Sequence, residues 1–187
     1  GEGDVGRISF VESVNILDAT PSNLGHDATI VFFNDAERFT YAVPRDPVNF
    51  SSGILCCPNN YERHESLTEG VVRLTWLANY DRWANLDEGA YAAAKEALRD
   101  SMIERVRESI PTFTDHLVFT DMFTPRTVRQ YTGHLNGAVY GSPRKRRDGR
   151  TPYENLFICG TDQGYLGIIG AMLSGITMAN RHVLAKQ

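Results

Sequence analysis

Apolar positions in the first part of the chain fall in short β-prone runs, at residues 8–11, 28–33, 39–43, 53–57 and 71–77. Breaks rich in Asp, Asn, Pro and Gly separate them, which predicts a succession of strands in a largely antiparallel sheet. Residues 30–41 place two such runs around the polar turn Asn34-Asp35-Ala36-Glu37, the pattern of a hairpin. In Arg73-Leu74-Thr75-Trp76-Leu77 the alternation is imperfect, so that strand is expected to be covered on both faces.

The period then changes. Tyr91, Ala94, Leu98, Met102, Val106 and Ile110 recur at three- and four-residue steps, with Lys95, Arg99, Glu104 and Arg107 on the other faces. That spacing predicts one amphipathic helix covering the sheet, from an Asn85 cap with Glu88 three residues on to Pro111. A short strand at 116–121 and one or two helical turns after Pro125 follow. Gly133, Gly137 and Gly141 then come at intervals of four in a polar stretch, where glycine serves turns or close backbone approach.

The strongest pattern lies in the last forty residues. An apolar run at 155–160 reads as a strand, a glycine-rich turn follows, and residues 164–185 continue as a long helix. This helix is apolar at Ile168, Ile169, Met172, Leu173, Ile176, Ala179 and Val183, and small at Gly170, Ala171, Ser174 and Gly175. The first amides of a helix lack internal partners and carry partial positive charge, so a phosphate or an electron-rich ring edge is favoured there. Gly160, Gly164, Gly167 and Gly170 keep side chains out of the way, and Asp162 is the turn's carboxylate. Such turns also occur as plain packing solutions.

Composition narrows the reading. The chain has 187 residues, 42% hydrophobic and 22% charged, enough for a real core, and its net charge of -4 argues against nucleic acid as a general partner. No apolar run reaches a membrane span and no signal peptide opens the sequence, so a soluble, cytoplasmic protein is expected. The basic run at 144–150 reads as a solvated loop, with an anionic membrane surface as the alternative contact. Cys56, Cys57 and Cys159 offer neither a zinc spacing nor a disulfide framework, and all three are expected to be reduced and buried. His26, His64, His116, His134 and His182 are scattered and no nucleophile turn is present, so no catalytic side chain and no metal ligand is assigned. Phe32, Phe33, Phe39, Tyr41, Phe50, Trp76 and Trp83 suit an apolar pocket wall or a core.

In order along the chain, Thr124-Pro125-Arg126, Gly137-Ala138-Val139-Tyr140-Gly141, Pro152 through Asp162, Gly167-Ile168-Ile169-Gly170-Ala171 and Ser174-Gly175 together resemble a known pattern. It is the C-terminal end of FAD-dependent phytoene desaturases, carotenoid isomerases and retinol saturases. The resemblance implies an α+β fold, with a substrate-binding-like region over 1–132 and a C-terminal return to the FAD-binding domain over 133–187. It also implies that Gly160, Thr161, Asp162, Gly167, Ile168 and Ile169 line the FAD, with the backbone at 168 and 169 toward the ring and Asp162 toward the ribityl or pyrophosphate region. Ile169 stands where many relatives have proline. Family members begin with a strand and Gly-x-Gly-x-x-Gly. Gly1-Glu2-Gly3-Asp4-Val5-Gly6 does not have that form, so the chain is expected to be a C-terminal part that holds FAD weakly or not at all by itself. Its partners would be the missing dinucleotide-binding segment and an apolar, isoprenoid-like substrate. The rival readings are a non-catalytic interaction module and a peripheral membrane module.

Overall fold

The computed structural model describes residues 4–61 and 67–186. Gly1, Glu2, Gly3 and His64 lie outside the described residues. Contacts divide the chain into two compact units, one of Ile8–Gly137 and one of Gly1–Arg7 with Ala138–Gln187.

The larger unit is α+β. Among the described residues it holds β1 (Ser9–Leu17), β2 (Ile30–Asn34), β3 (Val48–Cys56), β4 (Gly70–Ala78) and β5 (Leu117–Phe123), in one antiparallel sheet ordered β2-β3-β4-β1-β5. It also holds α1 (Tyr80–Ala84), α2 (Glu88–Ser109) and α3 (Pro125–Thr132). One sheet face presents Val11, Leu17, Leu55, Val72, Leu74 and Trp76 to Leu98, Met102 and Val106 of α2 and to Ile110 and Phe113, which follow it. This is the core, and α2 seats on it because its buried residues recur every four positions. Arg105 of α2 lies over the Phe33 ring, 3.9 Å from its centroid, and reaches Asp35 at 2.9 Å.

The structure corrects several local expectations. No hairpin spans 30–41 and no strand forms at 39–43, because β2 pairs with β3 in the register Ile30↔Cys56 to Asn34↔Ser52. Phe39 and Tyr41 alternate like strand residues, yet both are exposed in a connection that carries Pro44 and Pro47. Alternation alone cannot name a partner strand. The first strand is twice as long as its apolar run, because Ser9, Ser13 and Asn15 are buried in β1 with their polar atoms paired. Asn15 donates to Val72 O and Ser13 Oγ at 3.0 Å each and accepts from Thr120 Oγ1 at 3.0 Å, while Ser9 Oγ donates to Gly137 O at 2.7 Å. α2 is capped by Asp87, which accepts from Ala90 N at 2.8 Å, and Asn85 instead ends α1. β4 is covered by α2 on one face only, and Arg73 is exposed on the other.

After β5, α3 opens with a reciprocal pair between Thr124 and Thr127 and closes on Gly133 in the left-handed region at φ 70°. Gly137 and Gly141, with φ of 53° and 65°, make the expected turns. A Cβ on Gly137 would stand 2.4 Å from Pro125 O, so glycine is required there by space as well as by conformation.

The cysteines differ among themselves. Cys57 is fully buried and its thiol is pushed up to about 12 by that burial, and Cys56 is raised for the same reason, whereas Cys159 is exposed against expectation. A thiol whose folded pKa is raised stays protonated at pH 8. We therefore expect a disulfide reagent at that pH to modify Cys159 at once and Cys57 on the order of a thousandfold more slowly until denaturant is added. Comparable rates for the two would contradict the packing around Cys57.

Candidate functional site

The second unit is organised around α4 (Gly167–His182). No strand forms at 155–160. Its backbone makes one bridge, Arg150↔Phe157, in which Ile158 N donates to Gly149 O at 2.7 Å. A strand exists only through a neighbouring ladder, and the described residues supply a single rung.

Between that bridge and α4 the chain turns twice. Gly160–Gln163 form one 3-10 turn, Gly164 closes it at φ 111°, and Gly167 opens α4 at φ 73°. The expected four-glycine clearing separates into different kinds of position. A Cβ on Gly160 or Gly167 would meet no heavy atom within 4 Å. On Gly164 it would make only ordinary contact with Lys145 at 3.7 Å, and glycine there is set by its φ, whereas on Gly170 it would meet Tyr165 C at 3.2 Å, so Gly170 serves packing.

Leu166 occupies the cap position of α4 and has no side-chain oxygen to offer the first amides. The side chains beside those amides, Ile168 and Ile169, are 84% and 75% exposed. The helix turns Ser174, Met178 and His182, spaced by four, inward as its buried residues, two of the three polar. Met172, Leu173, Ile176 and Val183 remain exposed, so the apolar stripe that periodicity assigns to a core is uncovered.

A buried polar chain locks the turn to the helix. Ser174 Oγ donates to Gln163 Oε1 and accepts from Gly160 N at 2.6 Å, and Gln163 Nε2 donates to Arg147 O at 2.9 Å. Asp162 is committed in part to the protein itself. Its Oδ1 accepts from Ser142 N at 2.6 Å and its carbonyl accepts from Arg146 N at 2.8 Å. The basic run at 144–150 is therefore pinned by its backbone to the glycine turn, although most of its side chains are exposed. His182 is structural, stacked on Phe157 at 4.2 Å with Nε2 2.9 Å from Asp148 O. Gln163, Ser174 and the Gly141-Ser142 backbone were not expected at the turn. A buried Gln is visible only as an exception to composition.

Of the six residues assigned to FAD, Gly160, Thr161 and Asp162 lie in the 3-10 turn, and Gly167, Ile168 and Ile169 form the first turn of α4. An electron-rich flat group fits this surface. Two glycines leave open space, the helix start has no side-chain cap or acidic residue, and the flanking side chains are apolar. Among the described residues, no helix is long and apolar enough to cross a membrane, and no group of three or more His, Cys, Asp or Glu is arranged to hold a metal.

No known protein-family model matches the chain. Over 97 residues, 46% of its length, it is 30% identical to all-trans-retinol 13,14-reductase of Danio rerio. The matched stretch spans 16% of that protein. The chain is thus similar over less than half its length to a small part of a protein named as a reductase.

Proposed function

We propose that this chain is the C-terminal part of a flavin-dependent oxidoreductase related to phytoene desaturases and retinol saturases. The observation that carries the reading is the start of α4, an uncapped helix terminus with open space at Gly160 and Gly167 beside an exposed apolar stripe. The likeness to a retinol reductase supports it independently. FAD would be held by the amides at Gly167, Ile168 and Ile169 and by the turn of Gly160, Thr161 and Asp162. Bound FAD would supply hydride or electron transfer to or from an apolar, isoprenoid-like substrate.

In this reading the chain's own residues bind and shield. The α4 dipole and free amides stabilise negative charge on the cofactor, Ile168 and Ile169 exclude water beside it, and the Gly160–Ser174–Gln163 chain keeps the turn rigid. The bridge at Phe157 would extend into a strand once the dinucleotide-binding segment supplies a ladder, and the stripe of Met172, Leu173 and Ile176 would be buried by the same segment.

Joining the chain to an upstream segment carrying the Gly-x-Gly-x-x-Gly fingerprint tests the reading. A yellow protein with flavin absorbance is expected, losing most of its cofactor on Gly167→Val. Folded, colourless protein would remove the flavin from the proposal.

A further inference from the structure

The two edges of the sheet are built differently, and the flavin reading uses neither. Toward β1 the face turned away from α2 is polar, where Glu12 Oε1 accepts from Arg73 Nε at 2.8 Å and Nη2 at 2.6 Å. Toward β2 it turns apolar. Phe32 is 76% exposed, Ile30 on the same face is exposed too, and Phe39 and Tyr41 of the following connection continue the uncovered surface. β5, at the other edge, carries devices that keep strand edges apart. The β1–β5 ladder shifts register between Ile16 and Leu17, and Asp121 puts a charge on β5, with its Oδ1 accepting from Met122 N at 2.7 Å. β2 reads Ile30-Val31-Phe32-Phe33-Asn34, with no proline, no charge and no register shift against β3.

We propose that two copies of this chain pair through β2 about a two-fold axis, joining two five-stranded sheets into one. Ladder parity dictates the register. Cys57 N donates to Thr29 O and Asp35 N donates to Ser51 O, at 2.7 Å each, so the odd-numbered residues of β2 bond to β3. The backbone groups of Ile30, Phe32 and Asn34 therefore point away from the sheet. An antiparallel copy centred on Phe32 sets these three against the partner's Asn34, the partner's Phe32 and the partner's Ile30, and each such pair exchanges two hydrogen bonds. A five-residue strand with its free groups at the first, third and fifth positions is its own complement. Val31 and Phe33 keep their places against the core.

The assembly closes at two. Its outer edges are both β5, guarded by Asp121 and the register shift, so no third copy adds by the same contact. Area sets its strength. With Phe32, Ile30 and the main chain, each copy would cover about 500 Å², short of the roughly 800 Å² per partner of a standard stable interface. A reversible dimer with a Kd on the order of 10 µM follows. The inference is independent of the flavin reading, since β2 and β5 both lie within Ile8–Gly137.

Sedimentation of the flavin-free 187-residue chain between about 1 and about 100 µM tests it, and a monomer–dimer equilibrium is expected. Phe32→Lys, at a side chain already largely in water, should weaken the dimer at least about a hundredfold without lowering the melting temperature. Met172→Lys, on the exposed stripe of α4, should leave it intact. Hydrogen exchange reads the strand pairing itself. The amides of Ile30, Phe32 and Asn34 should exchange freely in the dilute sample and gain protection in the concentrated one, while those of Val31 and Phe33 are protected in both. Monomers throughout, growth past the dimer, a dimer lost with Met172→Lys but not with Phe32→Lys, or no concentration dependence at the three amides would each overturn the proposal. The joined protein separates the two readings, because its colour reports the flavin and its mass reports this edge. A colourless dimer that Phe32→Lys splits would leave this inference standing, and a yellow monomer would show β2 covered by the upstream segment and overturn it.

Discussion

Replacing Trp76 with alanine is expected to destabilise the Ile8–Gly137 unit by about 3–5 kcal/mol, lowering its melting temperature on the order of 10–20 °C. Trp76 is among the largest fully enclosed side chains, packed edge-on against Phe50 with centroids 4.9 Å apart and lying over Gly53. A Cβ at Gly53 would stand 2.6 Å from the indole and 2.7 Å from Phe33, so the backbone has been cleared for this ring. No neighbour can close the space it would leave without moving β3. Its Nε1 is buried without a hydrogen-bond partner among the described residues. Trp76→Phe removes that unpaired donor along with part of the ring, and should therefore cost only about 1–2 kcal/mol. Equal losses for the two variants in denaturant titrations would show that the indole is not held as described.

Ser174→Ala is expected to cost the α4 unit about 2–4 kcal/mol although it removes a single oxygen. The hydroxyl serves buried Gln163 and the half-buried Gly160 amide at once, and its loss leaves Gln163 Oε1 unpaired beside a position closed to water and takes from the Gly160 amide its partner in the helix. Hydrogen exchange reads the effect locally. The Gly160 amide should lose protection by about two orders of magnitude or more, and the joined flavoprotein should release its cofactor more readily, because the turn would no longer be tied to the helix. Unchanged protection would show that the polar chain is incidental to the turn.

The parts of the fold legible along the chain are those set by a repeating local pattern. α2 was readable from Leu98, Met102 and Val106 because side chains four apart share a face whatever lies opposite. α4 was readable for the same reason, as were the turns at Gly133, Gly137 and Gly141, where backbone conformation itself asks for glycine. β1 was only half readable. Ser9, Ser13 and Asn15 look like surface residues until Val72 O, Thr120 and Gly137 O appear as their partners.

The candidate sites divide in the same way. Gly160 and Gly167 were recognisable at the start of a helix, but that these two are open while Gly170 meets Tyr165 depends on how the turn folds. The inward-facing Ser174 and His182 of α4 reverse what its periodicity suggests, since they found partners at Gly160, Gln163 and Asp148. Glu12 and Arg73 were invisible as a pair because sixty-one residues separate them.

The amino-acid sequence by itself determined that this is an α+β chain with an antiparallel sheet, a long covering helix and a glycine-opened terminal helix, since period, turn chemistry and capping act over a few neighbouring residues. Only the tertiary structure decided that β2 pairs with β3, that β1 carries its polar residues inside, and that Arg73 meets Glu12 on the face turned away from α2. Strand pairing and polar satisfaction are interactions between segments far apart in the chain, and their free energy depends on the partner rather than on the segment.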